Sequence, residues 1–204
     1  MDYYHNLITE KSWKELQNLR RRLDFVLIGG WAVYVYAKTL KSKDIDIIVD
    51  YDKLPVLAKL YDLRKNDRLK KYQAAKEEVE IDIYLPHYSR IGIPVEDLLK
   101  QIVNLGGFRI LEINHLLGLK IFTFSRRGNS TKGRKDFIDI VSLAAAKLAD
   151  WEKIKKIVGK YRLEEPLANW TRALENTFEV AELLGLMNLL AMCWPIATGA
   201  SVTF

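Results

Sequence analysis

The chain is poor in the residues that staple or punctuate a fold, with one cysteine, five prolines and three histidines among 204 residues. A single cysteine, Cys193, excludes an internal disulfide and fits a reducing compartment. His5, His87 and His115 show no metal-binding spacing, so no zinc site is expected. No G-x-x-x-x-G-K-[ST] loop occurs, and Gly29-Gly30 does not extend to G-x-G-x-x-G, so two common phosphate-binding fingerprints are missing. The stretch Met1 to Lys11 is polar and aromatic rather than basic then apolar, and no signal peptide is expected there. Charge is absent from Leu183 to Phe204. That run reaches the length of a membrane span, but Asn188, Pro195, Thr198 and Ser201 interrupt it. The expectation is no membrane helix. Trp170 to Cys193 instead reads as a buried helix, with the apolar tail packed on it or on a second copy in a homodimer.

What is present supports a soluble cytoplasmic protein: 49% hydrophobic and 28% charged residues suffice for one core and two small lobes. The net charge of +6 is modest, but its basic residues cluster at Arg20 to Arg22, Arg64 to Lys76 and Arg126 to Lys135. Such patches suit the phosphates of RNA. The plain alternative is solvation of helix surfaces, and it is the reading preferred for Arg64 to Lys76.

The segment Phe25 to Val49, FVLIGGWAVYVYAKTLKSKDIDIIV, is the most informative. A hydrophobic strand runs into Gly29 and Gly30, where the backbone turns sharply and phosphate has room to approach. A helix starting near Trp31 would aim its N-terminal N–H groups and positive dipole end at that anion. The next strand places Asp44 and Asp46 on one face while Ile45, Ile47 and Val49 face the core. Two carboxylates on one face form a ligand set for Mg²⁺ (or Mn²⁺), with phosphate and water completing the shell. Val79 to Leu85, VEIDIYL, offers Asp82 as a third carboxylate, with Glu80 the rival on the same face. Asp82 is preferred because it sits deeper in the run, where an unpaired charge is costly. Three carboxylates around two ions would support in-line displacement, with Asp82 also the natural general base.

Gly29-Gly30, thirteen residues, then Asp44-Ile45-Asp46-Ile47 resembles the signature of the DNA polymerase β nucleotidyltransferase superfamily. Within it, Leu116 to Leu143 is similar to the second motif of the AbiEii-type minimal nucleotidyltransferases. Lys120 on a helix, Arg126-Arg127 in a basic turn, and Lys135-Asp136-Phe137-Ile138-Asp139 match that motif in order. Relatives often carry arginine where Leu40 stands, with Lys41 beside it, whereas Ser42 fits the position two before the first Asp.

The resemblance implies a pyrophosphate-releasing, magnesium-dependent transferase. Asp44, Asp46 and Asp82 would be catalytic and metal-binding. Gly29, Gly30, Ser42, Lys120, Lys135 and Asp136 would hold a nucleoside triphosphate, ATP included. The acceptor it implies is an RNA or tRNA end, and the setting a toxin with a cognate antitoxin protein or a phage-defence pair. From the residues alone, Lys120 reads equally as a snorkelling surface lysine. Asp136 and Asp139 share a helix face suited to ordinary ion pairs, and Asp139 is taken as structural. Two alternatives stay open: a non-catalytic nucleotide- or partner-binding module of the same fold, and a transferase acting on a protein or small molecule.

The expected architecture is an α/β (α+β) lobe with a mixed sheet over residues 1–113, then an all-helical lobe over 114–204 that completes the nucleotide cleft. Helices are expected over Thr9–Leu23, Lys53–Arg68 and Pro94–Val103, and strands over Val79–Leu85 and Phe108–Ile113. Asn114 is expected to cap the helix carrying Lys120, and Asp150 the helix Trp151–Tyr161. The turn Ser125 to Arg134, rich in Gly, Ser and Thr, reads as a mobile phosphate clamp.

Overall fold

In a computed structural model of the protein, which describes residues 2–146 and 149–177, the chain divides after Glu112 into two compact units. The first unit opens with helix α1 (Asp2–Arg20), strand β1 (Val26–Ile28), helix α2 (Gly29–Ala37) and strand β2 (Ile45–Ile48). It continues with α3 (Leu54–Leu60), β3 (Asp62–Asn66), β4 (Lys71–Lys76) and β5 (Val79–Tyr84). A two-stranded ribbon, β6 (Arg90–Ile91) with β7 (Ile93–Pro94), the short α4 (Val95–Leu98), and the hairpin β8 (Ile102–Leu105) and β9 (Phe108–Leu111) complete it.

Seven strands form one mixed sheet in the order β3-β4-β5-β2-β1-β9-β8. The pairs β2 with β5 and β1 with β9 are parallel, and the others are antiparallel. The central strands alternate faces as their sequences dictate, because Ile45, Ile47, Ile81 and Ile83 are fully buried while Asp46 and Asp82 stand on the opposite side. Helices α1 and α2 contribute Leu16, Leu19, Trp31 and Val33 to the core. The Trp13 ring packs against Trp31, Tyr34 and Phe108, and Trp31 Nε1 donates to Ser12 Oγ at 2.9 Å, so the one polar atom of this buried indole is satisfied.

Three expectations for this unit are corrected. The long helix over Lys53–Arg68 stops at Leu60, and the charged run after it forms β3, which pairs with β4. Leu57 is the buried residue of α3, so a longer helix would have had little apolar face to bury, and ladder hydrogen bonds decided instead. The helix over Pro94–Val103 is the four-residue α4, and the β-branched pair Ile102-Val103 enters β8. Gly106 and Gly107, both at positive φ, close that hairpin. Helix α1 also begins earlier than Thr9 and ends at Arg20.

The second unit contains α5 (Ile113–Arg127), α6 (Thr131–Ala145), α7 (Trp151–Tyr161) and α8 (Glu164–Glu175). Asn114 does not cap α5, for it lies inside that helix. Its buried Oδ1 accepts the Asp150 N–H at 2.8 Å, just ahead of α7. Asp150 caps α7 as its sequence suggests, accepting from the Lys153 N–H. Helix α8 covers the first part of the stretch read as a buried helix, with Trp170 fully enclosed. Beyond Thr177 that stretch, Cys193 included, and the apolar tail lie outside the described residues. Among the described residues, no helix is long and apolar enough to cross a membrane.

Candidate active site

The site is assembled where β1 hands over to α2. Ile28, the last residue of β1, is paired with Asp46 of β2, so the turn at Gly29 falls directly beside that carboxylate. Gly29 has φ +67°, a conformation that costs a side-chain-bearing residue about 1–2 kcal/mol. The approach to Asp46 is a second reason for glycine: a Cβ on Gly29 would lie 2.6 Å from the Asp46 Cβ and closer still to its carboxylate. Helix α2 starts here with Ile28 as its N-cap and no side-chain cap, so the favourable pole of the helix lies beside a carboxylate. At its other end, Lys38 in the left-handed conformation returns its N–H to the Tyr34 carbonyl and releases the chain towards β2.

On β2, Asp46 is half-buried, and Asp44 lies one residue before the strand begins. Ser42, two residues earlier, is 2% exposed, whereas Lys41 and Leu40 are exposed. The parallel pairing of β2 with β5 sets Asp46 opposite Asp82, two strand positions in exact register on one face. Glu80, the rival candidate, is exposed and pairs across to Ala75 on β4. Tyr84, two residues beyond Asp82 on the same face, donates its hydroxyl to Asp46 Oδ1 at 3.4 Å.

Sequence reasoning missed the partners of Asp82. Lys71 Nζ donates to Asp82 Oδ2, and Gln73 Nε2 donates to Asp82 Oδ1 at 3.2 Å. Gln73 is itself held, since its Oε1 accepts from Asn66 Nδ2 at 2.8 Å. Both residues lie in a stretch read as surface charge. The signal that would have found them is the alternation of Lys71, Gln73 and Ala75 in a six-residue run after the turn-forming Asn66-Asp67.

The donor set at Asp46 on β2 and Asp44 just before it is carboxylate oxygen, which fits a hard divalent cation. Asp82 would have to give up Lys71 to join it. Among the described residues, no three His, Cys, Asp or Glu side chains converge closely enough to hold a metal together.

In the helical unit, the lysine and KDFID motifs meet each other. Lys120, 8% exposed on α5, lies 3.0 Å from Asp136 Oδ1 and 2.7 Å from Asp139 Oδ2, both on α6 and both buried. Arg127 adds a second cation to Asp136 at 2.8 Å. Asp136 is thus bridged from two sides, whereas the Asp139 oxygens have no well-aligned hydrogen bond among the described residues. Burial pushes the Asp139 carboxyl up from its ordinary range, with the Lys120 charge opposing. Lys135, the remaining motif residue, is half-buried. The Ser125 to Arg134 segment is mostly helical, because α5 runs through Arg127 and α6 starts at Thr131. Ser130 caps α6 by accepting the Gly133 N–H, and a Cβ on Gly133 would strike the Gly128 carbonyl.

Known proteins share this architecture. The solution structure of the antibiotic-resistance factor ANT(2'')-Ia matches with a TM-score of 0.52 at 16% identity, over 88% of this chain and 99% of that one. The crystal structure of JHP933 from Helicobacter pylori matches with a TM-score of 0.51 at 16% identity, over 94% of this chain and 92% of the other. At such identity the likeness shows the fold. A comparison with curated proteins gives no match. A family model covering residues 6–182 matches the sequence, and the chain belongs to that family, described as a nucleotidyltransferase of unknown function (DUF6036).

Proposed function

We propose that the protein is an active, magnesium-dependent nucleotidyltransferase that moves a nucleoside monophosphate from a triphosphate to a hydroxyl of RNA. The observation that carries this reading is the seating of Asp46 against Gly29 and in register with Asp82. Glycine at that turn lets Asp46 sit against the α2 N-terminus, so that a cation held there would lie next to the helix end that favours phosphate. By the resemblance, Gly30 and Ser42 would help hold the triphosphate. Asp44 and Asp46 would hold the cation, Mg²⁺ or Mn²⁺. When bound, that ion supplies Lewis-acid neutralisation of phosphate oxygens and of the leaving pyrophosphate. Asp82 accepts the proton of the acceptor hydroxyl as the new O–P bond forms and the bond from the α-phosphorus to pyrophosphate breaks. Gln73 fixes the direction of that carboxylate through Oδ1.

Support for RNA as acceptor comes from the β3–β4 hairpin. Lys65 and Lys70 lie over the Tyr88 ring at 5.4 and 5.6 Å, and the Tyr72 ring lies beside it, tilted by 56° with ring centres 5.9 Å apart. Cations interleaved with aromatic rings suit a single strand, where bases stack and phosphates pair. The AbiEii-type resemblance extends the reading to a tRNA end and to the toxin of a toxin–antitoxin pair.

The test is transfer of label from each of the four α-labelled triphosphates, with Mg²⁺ and total RNA, comparing the wild type with Asp46→Ala. Label on RNA that vanishes in the variant supports the proposal. Label on protein or small molecules moves the acceptor to those classes. No transfer to any acceptor, with triphosphate binding intact, leaves a binding module.

A further inference from the structure

Lys71 is built into the carboxylate face rather than resting on the surface. Its side chain is 12% exposed and that of Asp82 17% exposed. The neighbouring pairs Arg64–Asp62 and Lys65–Asp67 are about half exposed or more on both sides. Solvent and salt weaken exposed pairs of that kind, but a shielded pair keeps much of its Coulomb attraction. Both oxygens of Asp82 are engaged, Oδ2 by the Lys71 ammonium and Oδ1 by the Gln73 amide. The register of β4 on β5 places Gln73 opposite Asp82, and Lys71 is two residues along the same face. Strand pairing therefore fixes Gln73 opposite Asp82, and the pairing of Lys71 with Asn66 at the start of β4 brings the lysine backbone to the same face.

A three-carboxylate face with no internal cation would draw two divalent ions to offset its charge. Here one positive charge already belongs to the chain. A fixed ammonium repels a divalent ion at the same carboxylate, and an ion could bind there only by breaking a shielded pair. We propose that Lys71 is a positioning residue that stands in for the second cation, so that the site takes one divalent ion, at Asp44 and Asp46. Lys71 then holds Asp82 beside the acceptor and supplies the positive charge that another ion would otherwise bring. This inference rests on the nucleotidyltransferase reading and specifies its metal requirement.

The experiment counts Mn²⁺ bound to the full chain by electron paramagnetic resonance, with each of the four α,β-methylene nucleoside triphosphates at saturation. The expected result is one Mn²⁺ per chain for the wild type with at least one of the four, two for Lys71→Met, and one for Lys71→Arg. Two ions in the wild type would overturn the role of Lys71 while leaving the transferase reading intact. A single ion in a folded Lys71→Met variant would overturn it equally. If Lys71→Met fails to fold, the wild-type count and that of Lys71→Gln decide. The Asp44→Asn/Asp46→Asn double variant separates the two ideas: if it keeps the wild-type ion, the carboxylate site itself is wrong and both readings fall.

Discussion

Asp46 and Asp82 stand opposite each other on the parallel strands β2 and β5, brought into register by a pairing that also aligns Ile45 with Ile81 and Ile47 with Ile83. The same ladder that buries four isoleucine side chains on one face of the sheet therefore presents two carboxylates on the other. Core and site are two faces of one strand pair, so a change that slips the register would damage both.

Gly29→Ala is expected to be harmful out of proportion to its size. The added methyl meets the Asp46 carboxylate, and the backbone at φ +67° strains any residue with a Cβ. The backbone share alone is about 1–2 kcal/mol. Urea denaturation should show at least that loss, and Mn²⁺ affinity should fall with it. A variant as stable as the wild type, with unchanged affinity, would refute the close approach.

Lys120→Met should destabilise the helical unit by about 3–5 kcal/mol, because it takes from Asp139 the ammonium 2.7 Å away and from Asp136 one of the two cations that bridge it. Combining it with Asp139→Leu should recover much of that loss, since an apolar pair of similar volume needs no partner. A double-mutant cycle on chemical denaturation reads the coupling. Additive losses would mean that the Lys120–Asp139 contact carries no stabilisation.

Tyr36 gives a pH signature. Burial, with the Glu112 charge adding to it, pushes its hydroxyl up to about 12 from 10.0, and the hydroxyl donates to the Leu111 carbonyl at 3.0 Å. A folded state that raises an acid's pKa binds the proton more tightly than the unfolded chain. Its contribution is complete below pH 10 and is lost as pH rises towards 12. Tyr36→Phe should lower stability at neutral pH and flatten the decline over that alkaline window. Parallel stability curves for the two proteins would remove the group from the account.

The strongly apolar strands, ending at Ile28, running through Ile45–Ile48 and Val79–Tyr84, and starting at Phe108, were all legible because each carries its burial pattern, continuous or alternating, in its own few residues. So were the backbone turn at Gly29, the place of Asp46 on β2 and the Asp150 cap, which depend on neighbours a few positions away. The charged strands β3 and β4 were not. Their residues favour no element strongly, and pairing with each other and with β5 decided their conformation. Lys71 consequently looked like one more surface cation until that hairpin folded it onto Asp82. Asn114 likewise looked like a cap until tertiary packing brought the Asp150 backbone to it. By itself the sequence determined that Asp46 and Asp82 each stand on the face opposite the buried isoleucines of their own strands, because side-chain alternation is a local property of the strand. Only the tertiary structure decided which cations meet those carboxylates, because an ion pair between strands depends on register, and register depends on the whole sheet.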